Sequence, residues 1–234
     1  LAVGRLFLAD YRPLEGLAGN PSGFDGAPRY ITAPIALFHL GPQGNLLPVA
    51  IRLQQQPGPD APLFGPHQGE HWQASKLFVQ AADCNHQELI GHATRIHCLA
   101  EAFILASRLN LHRRHPLMDL LGPHLRYTLK VNSSQLVLAD DKGQASAFGK
   151  LFGGSHRAMI DLMAEAMRSF DFQASAFPND LRRRGVDTPE LFDPYRDDGR
   201  LIWQALQDFV GEYLGGYYRA DRDLEADPEL QAWA

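Results

Sequence analysis

Three histidines fall within twelve residues in the stretch His86-Gln-Glu-Leu-Ile-Gly-His92-Ala-Thr-Arg-Ile-His97. Imidazole is the commonest metal-ligating side chain, so the first chemistry to consider is metal binding, with His92 and His97 as candidate ligands. The two are five residues apart. At about 100° per residue, an i, i+5 pair sits roughly 140° apart on a regular α-helix, too far round to share one small ion. An i→i+5 bonded π turn would bring both rings to one side, and such turns collect at functional sites. If the pair holds a metal, its spacing therefore predicts a π-type irregularity between Glu88 and Glu101. The zinc-protease pattern, two histidines at i, i+4 around a glutamate, is not matched. On spacing alone the alternative stays open that both are ordinary packed or surface imidazoles, since the chain has ten histidines in all.

A long helix has to carry these residues. From His71 to His115 there is no proline and one internal glycine, Gly91. That predicts a helix over 71–111 of about ten turns, roughly twice the usual globular length, buried by the other helices. Leu89, Ala93, Ile96, Ala100 and Phe103 step by four and three, which draws an apolar stripe with His92 and His97 on either side of it. Glu88, four before His92, and Glu101, one turn after His97, could orient the imidazoles from behind. Glu101 reads equally well as a buried partner for Arg108. His86, His115 and His124 read as structural.

Trp72-x-x-x-Lys76, Ala82-Asp83, His92-x-x-x-x-His97-x-x-x-Glu101-x-Phe103, Arg108 and His115-Pro-Leu-x-x-Leu-Leu-x-Pro-His124 together resemble the iron-helix region of the lipoxygenases. Upstream, Leu6-Phe-Leu-Ala-Asp10-Tyr11, Ala33-Pro34-Ile-Ala-Leu and Leu47-Pro-Val-Ala-Ile-x-Leu53 are similar to the segment preceding that helix. The resemblance implies a mainly α fold, part of a lipoxygenase catalytic domain built round a long iron helix. It implies non-haem iron as cofactor, with His92 and His97 as metal ligands and no separate catalytic side chain. The partners it implies are O2 and a polyunsaturated fatty acid with a cis,cis-1,4-pentadiene unit, oxygenated to a lipid hydroperoxide by hydrogen abstraction and O2 addition. The family's further ligands, a histidine, a nearby asparagine or similar residue and a C-terminal carboxylate, would fall beyond Ala234. The chain thus reads as an internal piece of a longer, bacterial-type protein, inactive by itself. One place departs from the pattern. Many lipoxygenases have a small residue and an arginine three and four positions after the equivalent of Asn132, where this chain has Gln135 and Leu136. The roles tied to those two positions, in stereochemistry and in meeting the substrate carboxylate, do not carry over.

The whole chain, 1–234, reads as one partial domain, irregular with short strands over 1–65 and helical over 66–234. Arg5–Asp10, Tyr30–His39 and Leu46–Leu53 read as extended segments, with a hairpin turn at Gly41–Asn45. After His115-Pro116 come a short helix through Leu117–Leu121, a loop over Asp140–Gly154, and a Ser155-capped helix from about His156 to Ser169 with Ala158, Leu162, Ala166 and Phe170 on one face. Phe177–Gly185 predicts a short glycine-closed helix. Arg200 to about Tyr218 predicts an amphipathic helix whose Leu201, Ala205, Phe209 and Tyr213 face the core. Asp221–Asp227 reads as acidic and exposed.

With 45% hydrophobic residues, 21% charged and a net charge of −5, the chain can build a core, and nucleic acid is not an expected partner. No transmembrane segment is expected, since no apolar run reaches spanning length. Cys84 and Cys98 are fourteen residues apart on the expected helix, about 21 Å, too far for a disulfide; they read as buried free thiols. Nucleophile elbows and glycine-rich phosphate loops are absent. Two other classes of function stay beside the lipoxygenase reading: a non-catalytic helical fragment that binds lipid or a partner, and, behind it, a helical hydrolase with zinc on His92 and His97.

Overall fold

The computed structural model describes residues 4–23, 25–136 and 147–234. It begins with a four-stranded antiparallel meander, β1 (Leu6–Asp10), β2 (Ile35–Leu40), β3 (Leu46–Arg52) and β4 (Leu63–Phe64), hydrogen-bonded in chain order. The β2–β3 hairpin closes at Gly41–Asn45, where the Gly41 N–H donates to the Asn45 carbonyl at 2.8 Å. Gly44 sits there at φ +80°, a conformation that glycine reaches without steric cost. Ala36 and Ile51 bury one face of the sheet against Trp72, with Phe64 packed beside them. The extended reading of Tyr30–Pro34 does not become strand; pairing begins at Ile35.

Trp72 belongs to the long helix. A 3₁₀ turn (Pro66–Gln68) leads into α1 (Gly69–His86), then a π-helical segment (Gln87–Cys98), then α2 (Leu99–Asn110), without interruption. Pro66 supplies a pre-set φ at the first position, and Leu111, in extended conformation, ends the run. One side of this rod is buried. Ala82, Leu89 and Ala93 pack with Leu14, Phe152 and Leu162 in the main core. The partner helix is α6 (His156–Arg168), started by the Ser155 hydroxyl accepting from the Ala158 N–H, with Ala158, Leu162 and Ala166 buried as its periodicity predicted. By length and composition the run Pro66–Asn110 could cross a membrane, contrary to the sequence expectation. Here it packs against the sheet and α6.

Between these come α3 (Pro116–Leu121), α4 (Thr128–Val131), a second π segment (Asn132–Leu136) and α5 (Ala147–Leu151). The expected loop over Asp140–Gly154 thus contains a helix at its end, and its part from 140 to 146 lies outside the described residues. Farther on lie α7 (Phe177–Arg183), closed by Gly185 at φ +69°, α8 (Pro194–Gly215), α9 (Asp221–Glu225) and α10 (Pro228–Trp233).

Five further expectations need correction. The apolar stripe does not stay on one face: Leu89 and Ala93 are buried, but Ile96 is 60% exposed and Phe103 41%. A π turn holds more residues than an α turn, so the period of 3.6 loses phase across it. Helix α8 starts earlier than expected, because Asp193 caps it ahead of Pro194. Its apolar face is open to solvent, with Leu201 and Phe209 at 73% and 57% exposure. Cys84 is exposed and Cys98 half-buried. Asp227 is not a solvated acid, since it accepts from buried His115 and caps α10.

Candidate metal centre

His92 and His97 meet on one side of the long helix. The π segment that carries them runs through both positions, in the interval that the five-residue spacing predicted. Local bonding follows the wider turn. The Thr94 hydroxyl donates to the Leu89 carbonyl five residues back at 2.6 Å, and the Leu99 N–H reaches the Thr94 carbonyl. Thr94, Leu89 and Ala93 are fully buried, so the irregular turn is fixed from the core side while the imidazoles project from the other.

The two Nε2 atoms lie 3.1 Å apart and the ring centroids 4.9 Å apart. Two metal–nitrogen bonds of about 2.1 Å at a right angle would hold their nitrogens about 3.0 Å apart. The pair is thus spaced as adjacent ligands of one ion. Each Nδ1 rests on an oxygen: His92 on Glu88 Oε2 at 3.1 Å, His97 on Asn132 Oδ1 at 2.8 Å. Oxygen acceptors behind both rings are the usual support of metal-bound imidazoles. The donor set therefore fits a metal that prefers nitrogen, as non-haem iron does. Among the described residues no group of three or more His, Cys, Asp or Glu comes together, so a metal held here would find two imidazole donors in them.

Glu101 acts at one remove. Its Oε2 accepts from Asn132 Nδ2 at 2.7 Å, and the same nitrogen donates to the His97 carbonyl at 3.1 Å. Asn132 is 5% exposed. Sequence reasoning marked Glu88 and Glu101 by their helical spacing but missed Asn132. It lies 35 residues from His97, at the start of the second π segment, and no local pattern ties the two. Next to this network burial and the Glu101 carboxylate push the Cys98 thiol upward from its usual range.

The remaining histidines lie elsewhere. His86 packs edge-on to Tyr11 and is held below its usual pKa by burial and by the charge of Arg95. It lines a cleft of about 690 Å³ between β1 and the Gly185 turn that includes neither His92 nor His97. His115 is buried on Asp227, and His124 is exposed.

Comparison with known proteins settles the ancestry. The lipoxygenase family model matches residues 25–234. The chain belongs to the lipoxygenase family. Rat arachidonate 12-lipoxygenase, 12R-type, is 38% identical over all of this chain, which covers 33% of that protein. Human hydroperoxide isomerase ALOXE3 is 39% identical over all of the chain, covering 32% of that protein. The crystal structure of coral 8R-lipoxygenase superimposes with a TM-score of 0.83 at 31% identity, over 98% of this chain and 34% of that one. This lipoxygenase chain spans about a third of the length of the curated relatives it matches. None of these relatives is bacterial, and they lend the bacterial-type expectation no support.

Proposed function

We propose that the protein is a lipoxygenase in activity as well as in family, and that His92 and His97 bind its iron. The observation that carries this is the convergence of the two Nε2 atoms at 3.1 Å across a π turn, with an oxygen acceptor behind each ring. Iron, when bound, supplies the one-electron redox couple needed to take hydrogen from a doubly allylic methylene. The residues of this chain do the holding. Glu88 keeps the His92 ring from swinging, Asn132 does so for His97, and the buried Leu89–Thr94 turn fixes the base on which both stand. The reaction breaks one C–H bond between two cis double bonds and adds O2 to the resulting pentadienyl radical. Return of one hydrogen gives the hydroperoxide, so substrate plus O2 balances product. Residues 1–234 form one part of that catalytic domain, with the sheet over 1–65 and the helices over 66–234. Further metal donors are expected from outside the described residues.

The test uses the full-length protein. His92→Ala and His97→Ala should each remove iron and oxygenase activity together, because two protein donors cannot be halved without losing the chelate. Metal analysis and the ultraviolet absorbance of conjugated dienes formed from linoleate read the two effects. Retained iron in either variant would refute the ligand assignment. Conversion of an added hydroperoxide without oxygenation of linoleate would replace the dioxygenase reading by an isomerase one.

A further inference from the structure

The strongest unassigned feature is the path of polarity that ends on His97. Asn132 has an amide whose orientation its surroundings dictate. Its nitrogen faces two groups that only accept, the His97 carbonyl at 3.1 Å and Glu101 Oε2 at 2.7 Å. Turning the amide over would point its oxygen at both of them, so Nδ2 belongs there and Oδ1 faces His97 Nδ1 at 2.8 Å. That oxygen needs a donor, which places the proton of the neutral imidazole on Nδ1 and the lone pair on Nε2. His92 is constrained in the same sense by Glu88, whose carboxylate accepts from Nδ1 at 3.1 Å.

From this we infer that Asn132 is a positioning residue that, backed by Glu101, locks His97 in the tautomer able to bind metal. The inference rests on reading His97 as a ligand. The alternative tautomer explains why a lock is needed. Without Asn132, His97 could carry its proton on Nε2 and donate it to His92 Nε2, only 3.1 Å away. Such a hydrogen bond would join the two donors to each other and close the chelate to any ion. His92 cannot offer the same escape, since its Nδ1 proton is held by a group that cannot donate in return. The two supports therefore differ: a carboxylate in direct contact on one ligand, a neutral amide oriented by a carboxylate on the other. A buried amide whose oxygen meets one ligand and whose nitrogen is tied to that ligand's backbone and to Glu101 is preorganised for the task.

The polarity of the Asn132–Glu101 pair supplies the experiment. In full-length protein Glu101→Gln should cost little, because the glutamine amide can turn its oxygen toward Asn132 Nδ2. Asn132→Asp sets two carboxylates against each other where a 2.7 Å hydrogen bond stood, and Asn132→Leu removes the lock. Both should weaken cobalt(II) binding, read by chelator competition, by roughly 10- to 100-fold. Combining Asn132→Asp with Glu101→Gln lets the introduced glutamine amide donate to the introduced carboxylate, and should recover most of that loss, an interaction that simple additivity excludes. The second readout needs no metal. Ring nitrogen-15 shifts of His97 in metal-free protein, taken at alkaline pH where imidazoles are neutral, should report the Nδ1–H form in the parent and the Nε2–H form in Asn132→Leu. An unchanged tautomer in Asn132→Leu would overturn the lock, as would a double variant no better than Asn132→Asp alone. If Asn132→Leu fails to fold, the Asn132→Asp and double variants still decide. Should His97→Ala keep its metal while the tautomer shift appears as expected, the ligand reading fails and the tautomer lock survives.

Discussion

Replacing Asp227 by alanine should open the C-terminal end of the structure, and the structure gives the size of the effect. Asp227 Oδ1 accepts from the Glu229 and Leu230 N–H groups at 3.0 Å and so caps α10. Its Oδ2 accepts from His115 Nε2 at 3.0 Å and from the Tyr218 hydroxyl at 2.7 Å. His115 cannot adapt by changing tautomer, because its Nδ1 already accepts from the Leu117 N–H at the start of α3. Loss of the cap costs about 1 kcal/mol. The buried His115 N–H, left with only the Tyr218 hydroxyl oxygen 3.3 Å away, costs about 1–3 kcal/mol more. The half-exposed Tyr218 can turn its own proton to water. The sum is about 3 kcal/mol, or roughly a hundredfold in the local opening equilibrium. Amide hydrogen exchange in α9, α10 and the His112–His115 turn should therefore speed up about a hundredfold. Asp227→Asn keeps an oxygen for the cap and spoils the acceptor shared by His115 and Tyr218, so its effect should fall between parent and alanine. If Asp227→Ala exchanged like the parent there, the reasoning would be wrong.

The same latch predicts a pH response. The Tyr218 hydroxyl and the Leu230 N–H hold the Asp227 carboxyl well below the usual carboxylate range. A depressed acid gives stability that is complete above its unfolded pKa, about 4, and fades as pH falls through the folded value. Burial, with the neighbouring Asp227, raises Tyr218 to about 12. That contribution is complete below the unfolded value, about 10, and is lost as pH rises through the folded one. Exchange at α10 should thus be insensitive to the titration of Asp227 and Tyr218 between about pH 4 and pH 10.

Other expectations are simpler. Thr94→Val keeps the buried shape but deletes the hydroxyl bonded to the Leu89 carbonyl at 2.6 Å; it should cost about 1–2 kcal/mol in urea unfolding and weaken metal binding as the π turn relaxes. Gly154→Ala would put a methyl 2.5 Å from the Phe152 ring and 2.7 Å from Ile31, so about 1–3 kcal/mol of stability should be lost in the same assay. In full-length protein Leu136→Arg should alter the positional distribution of hydroperoxides or the KM for fatty acid, read by chromatography and initial rates; identical profiles would show that residue 136 does not meet the substrate.

Much of the architecture was legible where short-range physics governs. The absence of proline between Pro66 and Pro116 sufficed for the helix, Ser155 for the start of α6, and Gly185 for the end of α7. The hairpin at Gly41–Asn45 followed from its turn residues. Long-range contacts were not legible. Nothing near Asp227 in sequence announces His115, 112 residues earlier, and nothing near Asn132 announces His97. The exposed face of α8 misled for the opposite reason: periodicity identifies an apolar face but does not say what covers it.

The histidine pair shows how the two kinds of information combine. A five-residue step from one histidine to the next is a poor spacing for a chelate, and no side-chain propensity in Gln87–Cys98 favours a π-helix over an α-helix. What holds the wider turn is tertiary. Leu89, Ile90, Ala93 and Thr94 are buried on the core side against α6, Thr94 bonds back five residues, and Asn132 ties His97 from another element. Spacing by itself leaves the two imidazoles about 140° apart, and the packing of α6 and the second π segment closes that angle. Substitutions that loosen that packing, Thr94→Val among them, should for this reason separate the Nε2 atoms and lower metal affinity without touching either histidine.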